Sequence, residues 1–205
     1  LALKYQGRID EAYNRFYKSC WNAAWQDAGY LACAQISTWQ NRLEDALYEI
    51  DHSLIRNWHN HKARALKATI LRRNGQPEAA LKLIEESLAI DAFNFGCRYE
   101  QYLLTHDEQT LQTLKELMRG DAHNYDEIAL DYCAAGCWDE AISLWQLAIS
   151  QQAVSPMTYY YLGWCMKQGD KEGYADVFVQ ASQACPDYCF PNRLEAILAL
   201  QCAME

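Results

Sequence analysis

GRIDEAYNRFYKSC (Gly7–Cys20), NRLEDALYEIDHSL (Asn41–Leu54) and GQPEAALKLIEESL (Gly75–Leu88) are three versions of one phrase, and their registration decides the fold. Ala12, Ala46 and Ala80 stand 34 residues apart; so do Phe16, Ile50 and Ile84, and so do Ser19, Ser53 and Ser87. Self-similarity at a fixed period of this length marks a stacked array of supersecondary units. Five residues ahead of each Ala comes Gly7, Asn41 or Gly75. Gly and Asn most readily take the left-handed conformation that ends a helix, so each marks a turn. After the turns, Ile9–Trp21, Leu43–Leu54 and Pro77–Ile90 carry small or apolar residues spaced four and then three apart, which is one face of a helix.

The phrase returns downstream. Tyr125, Ile128, Ala129 and Tyr132 lead to Gly136 and then to Ala141, Trp145 and Ala148. A sixth version holds Tyr159, Leu162, Gly163, Gly169, Phe178, Ala181 and Pro186, but Gly163 and Gly169 are one residue closer than the pattern expects, so one helical turn there must adjust. Ala80 and Ala141 are 61 residues apart, seven short of two periods, which abbreviates the unit from Phe93 to Gly120. Its second helix is expected over Asp107–Met118, with Leu111, Leu114 and Leu117 facing inward. Pro191–Met204 reads as a last amphipathic helix, started by a Pro in its first turn, that covers the preceding pair. The expectation is therefore one all-α domain over 1–205, with repeats at about 1–26, 27–60, 61–94, 95–121, 122–155 and 156–188 and a capping helix at 191–204.

Composition agrees. The chain is 51% hydrophobic and 22% charged, with only four Pro and nine Gly, and is rich in residues that lose little on entering a helix. A formal charge of -9 repels a phosphate backbone and argues against nucleic acid as a partner. No stretch approaches the roughly 18 apolar residues of a membrane span, and the amino end lacks the regions of a signal peptide. Nine Cys, an odd number scattered along helical segments, fit reduced thiols in a cytoplasmic protein.

The spacing, with small residues where helices cross and bulky ones between, resembles the tetratricopeptide repeat (TPR) family across nearly the whole chain. That resemblance implies a right-handed α-α superhelix of about six antiparallel helix pairs, whose first helices line a concave groove. The strings WNAAW (Trp21–Trp25), KARALKATILRRNG (Lys62–Gly75), FGCRYEQYLL (Phe95–Leu104) and PDYCFPNRLE (Pro186–Glu195) look like the TPR region of bacterial multidomain proteins in which a β-rich domain of unknown function comes first. Six residues precede Gly7 where a full repeat supplies about fourteen. The chain is accordingly expected to be a fragment of a longer protein.

The family resemblance also implies where a ligand lies. Aligned first-helix positions are Gln35 and Thr38, Lys62, Thr69 and Arg72, Tyr99 and Leu103, His123 and Asp126, and Tyr160 and Trp164. Lys62, Arg64, Lys67, Arg72 and Arg73 put five positive charges and no negative one into one segment, which suits either an acidic peptide or a solvated face paired with acidic neighbours. Reversing Lys62 and Arg72 to Glu is expected to weaken partner binding and leave the melting nearly unchanged. TPR modules that clamp acidic chaperone tails use Lys, Asn and Arg at set positions; Leu31, Ala32 and Gln35 stand there in the second repeat, so that clamp is absent. Aromatics such as Tyr99, Tyr160 and Trp164 either stack on a ligand or fill gaps between helices.

No catalytic constellation emerges. Cys133/Cys137 and Cys185/Cys189 lack zinc-site context, and His52, His59 and His61 make a poor ligand set. No phosphate loop, nucleophile elbow or zinc-protease motif is present. The chain reads as a non-enzymatic scaffold without cofactor or metal that binds a protein or peptide segment. The alternative is an accessory or dimerisation module, itself a homodimer, of a larger carbohydrate-active bacterial protein.

Overall fold

One backbone turn recurs along the chain. Asn41 (φ 56), Gly75 (φ 69) and Gly136 (φ 68) are left-handed, as the repeat phrase requires. The amide that follows each turn reaches back to the last turn of the helix: Arg42 N to Ser37 O at 2.8 Å, Gln76 N to Leu71 O at 2.9 Å, Cys137 N to Tyr132 O at 3.0 Å. This six-to-one bond satisfies a carbonyl that the helix leaves open and fixes the angle at which the next helix departs. Gly7 (φ 75) makes the same turn, with Arg8 N on Leu3 O at 2.9 Å.

The computed structural model describes all 205 residues: thirteen α-helices, one short 3-10 turn at Ala23–Trp25 and no strand. In chain order the helices are α1 (Ala2–Tyr5), α2 (Ile9–Ser19), α3 (Gln26–Trp39), α4 (Leu43–Arg56), α5 (His61–Arg73), α6 (Pro77–Ile90), α7 (Phe95–Thr105), α8 (Glu108–Met118), α9 (Ala122–Ala134), α10 (Trp138–Ser150), α11 (Pro156–Gln168), α12 (Tyr174–Gln183) and α13 (Leu194–Met204). The architecture is an all-α helical repeat. No helix is long and apolar enough to cross a membrane. Within the stretch expected to be one domain, packing separates two compact units. Unit 1 is Leu1–Leu117 with Ala134–Gly136, and unit 2 is Met118–Cys133 with Cys137–Glu205.

In unit 1 the registered small residues lie at helix crossings. Ala46 and Ala80 are wholly buried, as are Ile50 and Ile84 one turn on and Ser53 and Ser87 after them. The two serines are not spacers alone: Ser53 Oγ donates to Asp27 O at 2.8 Å and Ser87 Oγ to Leu83 O at 2.6 Å. Between α5, α6 and α7, the side chains of Ala68, Leu71, Ala80, Leu83, Ile84 and Cys97 form a closed apolar cluster. Gly96 sits where α7 passes close to α5, and an added Cβ there would lie 2.6 Å from the Ala65 Cβ.

Unit 2 keeps the same logic around Trp145, which is fully buried with Ala141 and Ala148 and stacks on Tyr161 at 6.1 Å. Three expectations are corrected. The left-handed residue after α11 is Asp170 (φ 54), not Gly169 (φ -90), so the 34-residue register from Gly136 holds and the irregularity lies in the connection through Gly173 (φ 81). In α8 the inward residues are Leu111, Leu114 and Met118, whereas Leu117 is only half-buried, because the helical period carries the stripe four residues on from Leu114. Finally, α13 begins at Leu194 rather than Pro191; Pro191 belongs to the preceding loop, and the cap residue is Arg193, in extended conformation.

The Gly96 contact yields a test. Gly96→Val improves helix propensity yet drives a branched side chain into Ala65, so it is expected to lower unfolding free energy by about 1–3 kcal/mol in urea titration. An unchanged midpoint would contradict the close crossing of α5 and α7.

Candidate functional site

On unit 1 the first-helix positions belong to α3, α5 and α7. Gln35 is half-buried and accepts a hydrogen bond from Lys4 Nζ at 3.4 Å. Thr38 is buried and returns its hydroxyl to Ala34 O at 2.7 Å. Thr69 and Tyr99 are each only 2% exposed. Lys62 is exposed at the amino end of α5 and Leu103 half-buried towards the carboxyl end of α7. Arg72 lies between these extremes, with one-fifth of its side chain exposed.

Arg72 is anchored by a residue the repeat alignment passed over. Glu100, wholly buried on α7, accepts from Arg72 Nε at 2.7 Å and Nη2 at 3.2 Å, and from Thr69 Oγ1 at 2.9 Å. The fork geometry holds the guanidinium in one orientation. It also changes the expected result of charge reversal. A Glu at position 72 would lose the forked contact and set a like charge against the buried carboxylate of Glu100, so Arg72→Glu is a destabilising substitution and not a surface change. Only the neighbourhood of Glu100 in sequence, one residue after the aligned Tyr99, offered a clue.

The basic segment is largely consumed inside the fold. Arg64 is completely buried: its Nε donates to Ser87 Oγ at 2.8 Å, its Nη1 to Trp58 O at 3.3 Å, and its guanidinium lies 4.3 Å from the centre of the Trp58 ring. Lys67 pairs with Asp51 at 2.6 Å. Lys62 and Arg73 remain exposed. The segment therefore pairs mostly with its own neighbours.

Unit 2 carries its own first-helix residues. Tyr160 on α11 is half-buried with its ring 6.3 Å from Phe178, and Trp164, 9% exposed, meets Trp138 edge-on at 6.0 Å. Both pack between helices. Asp126 on α9 is 4% exposed and lines a small cavity of about 50 Å³ with His123, Ser155, Tyr161, Tyr188 and Arg193 among its walls. It accepts from Trp145 Nε1 at 2.9 Å and from Thr158 Oγ1 at 3.4 Å. Arg193 at the rim pairs with Glu127. Burial pushes the Asp126 carboxyl up to about 6, against the pull of those two hydrogen bonds.

No protein-family model matches the chain, and no curated protein matches it in sequence. Among solved structures, a tetratricopeptide repeat protein from Parabacteroides merdae ATCC 43184 is 18% identical, with 99% of this chain and 80% of that one aligned at a TM-score of 0.52. This likeness shows a TPR-type fold. YrrB, described as a TPR protein with an unusual peptide-binding site, is 19% identical over 93% of this chain and 98% of its own at a TM-score of 0.45. MamA from Desulfovibrio magneticus RS-1 is 15% identical over 77% and 94% at 0.43.

Asp126 supplies a pH test. Its folded-state affinity for a proton is raised, so the unfolded chain ionises first as pH rises, and stability falls between about pH 4 and 6 and stays lower above that. Asp126→Asn keeps an acceptor for Trp145 and removes the charge. Melting of the variant is expected to match the parent near pH 4 and to exceed it at pH 7.5, by roughly 2–3 kcal/mol at most. A constant difference across that range would mean the carboxylate is not held above its ordinary range.

Proposed function

We propose that the chain is a protein-interaction scaffold that takes a protein or peptide segment across the first helices of its repeats. The observation that carries the reading is the TPR-type fold itself, since helix-pair arrays of this kind present extended surfaces that serve binding. The positions that form this surface, by contact or by support from beneath, are Gln35, Lys62, Thr69, Arg72 and Tyr99 in unit 1 and Asp126, Tyr160 and Trp164 in unit 2. Of these, Lys62 reaches the partner directly, Arg72 meets it with a guanidinium fixed from behind by Glu100, and the buried members shape the surface. No catalytic step is assigned to the chain. Its net charge of -9 disfavours nucleic acid as the partner, and its odd number of cysteines, nine, scattered along the helices, supports a cytoplasmic setting.

The test begins with affinity purification from the native organism and continues with the recovered partner and Lys62→Glu. The variant is expected to bind about two- to fivefold more weakly with unchanged melting, the range of an exposed ion pair. Equal affinity would remove α5 from the contact surface.

A second reading, an accessory or dimerisation module within a larger carbohydrate-active protein, is favoured by α13. Its exposed positions are Leu194, Ile197, Gln201 and Met204, a 3-4-3 spacing that forms one nearly apolar stripe like the seam of a helical pair. Under this reading the protein sediments as a dimer at micromolar concentration and Ile197→Asp sediments as a monomer. A monomeric parent would dismiss the stripe as a seam.

A further inference from the structure

We propose that the hollow between α2 and α4 is a binding site for an organic cation, the ammonium or guanidinium group of a basic side chain. It is a space of about 420 Å³ lined by Tyr13, Asn14, Tyr17, Asp45, Tyr48 and Glu49. It lies on second helices, so it is separate from the first-helix surface and does not depend on the scaffold reading.

The lining follows from helical spacing. Tyr13 and Tyr17 are one turn apart on α2, and their rings stand side by side, 6.3 Å between centres and within 14° of parallel. From α4 comes Tyr48, 57% exposed, whose ring is backed by His52 at 4.1 Å. Three phenol rings thus border one opening, and the face of each carries the negative part of its quadrupole.

Charge selects the occupant. Asp45 and Glu49 are the carboxyl groups of the lining; the one cation beside them, Arg42, pairs with Asp45 from the edge of the hollow and leaves the two acids in excess. Glu49 is 2% exposed; one oxygen accepts from the Tyr13 hydroxyl at 2.5 Å and the other closes no hydrogen bond, and burial raises its affinity for a proton against the pull of Tyr13, Ser37 and the nearby Arg42. A buried carboxylate satisfied on one side only is a costly group that a cation relieves. A neutral sugar would cover the rings and leave Glu49 as it is.

The chain already uses this chemistry beside the hollow. The Arg42 guanidinium lies 4.9 Å from the centre of the Tyr13 ring and donates to Asp45 at 2.7 Å. A cation on one of these tyrosines, held by one of these carboxylates, is therefore a contact the site demonstrably supports. The hollow offers the same combination to a second cation, with Tyr17 and Tyr48 in place of Tyr13.

The probe is Nα-acetyl-lysine methylamide, whose only charge is the side-chain ammonium, titrated into the protein with NMR detection. Nα-acetyl-norleucine methylamide is the uncharged control, glucose the sugar control and tetramethylammonium the free-cation arm. Saturable shifts confined to α2 and α4 are expected with the lysine amide and absent with norleucine and glucose. Tyr17→Ala and Tyr48→Ala, both at exposed rings, are each expected to keep the parent's melting and to weaken binding by roughly two- to fivefold. Binding of tetramethylammonium alone would assign the site to small free cations; binding of both, to cationic groups in general. The proposal is overturned if no cation produces saturable shifts at tens of millimolar, if norleucine or glucose binds equally well, or if neither Tyr variant changes the affinity. Lys62→Glu leaves this titration untouched, so the result is independent of the partner experiment.

Discussion

The left-handed turn between the helices of a pair is the constraint on which the rest depends. Arg42, Gln76, Cys137 and Lys171 each send their amide back five residues, and every such bond sets where the following helix starts. Because the turn fixes the departure angle, the small residue five positions after it at Ala46, Ala80 and Ala141 falls at the crossing and can be buried completely. Move the turn by one residue and a helix would rotate by about a third of a turn, carrying its apolar face away from the neighbour. Packing in both units is thus downstream of a local backbone event that repeats.

That event is what made the fold legible. Gly7, Asn41, Gly75 and Gly136 advertise the left-handed position by residue type, and the 34-residue period ties the first three together. Asp170 does not advertise it, and the nearby Gly169 drew attention to the wrong residue; counting the period from Gly136 locates it. Pro191 misled for a related reason: a Pro suits a first helical turn, but it suits a preceding loop equally well.

The site was less legible, because alignment tells which helix face a residue occupies and not what stands opposite it. Lys62, Arg64, Lys67 and Arg72 look alike in sequence. They have separate fates because Asp51, Ser87, Trp58 and Glu100 lie 16 to 28 residues from them or, for Trp58, just outside the helix. Arg64 shows the contrast most sharply, with a guanidinium at zero exposure supported by a hydroxyl, a carbonyl and an indole face. A full positive charge is accommodated there through weaker contacts added together, although Nη2 closes no hydrogen bond. Likewise, nothing in the repeat phrase indicates that Tyr13 and Tyr48, from successive second helices, border one hollow.

The thiols have a consequence for labelling chemistry. Cys20, Cys33, Cys97, Cys133, Cys137 and Cys165 are buried, and burial holds the thiols of Cys33 and Cys133 well above the ordinary range, so little thiolate forms there. Cys185, Cys189 and Cys202 retain surface and all lie in the last part of unit 2. A maleimide dye added to the folded wild-type protein therefore marks one end of the chain, with no cysteine needing to be removed first.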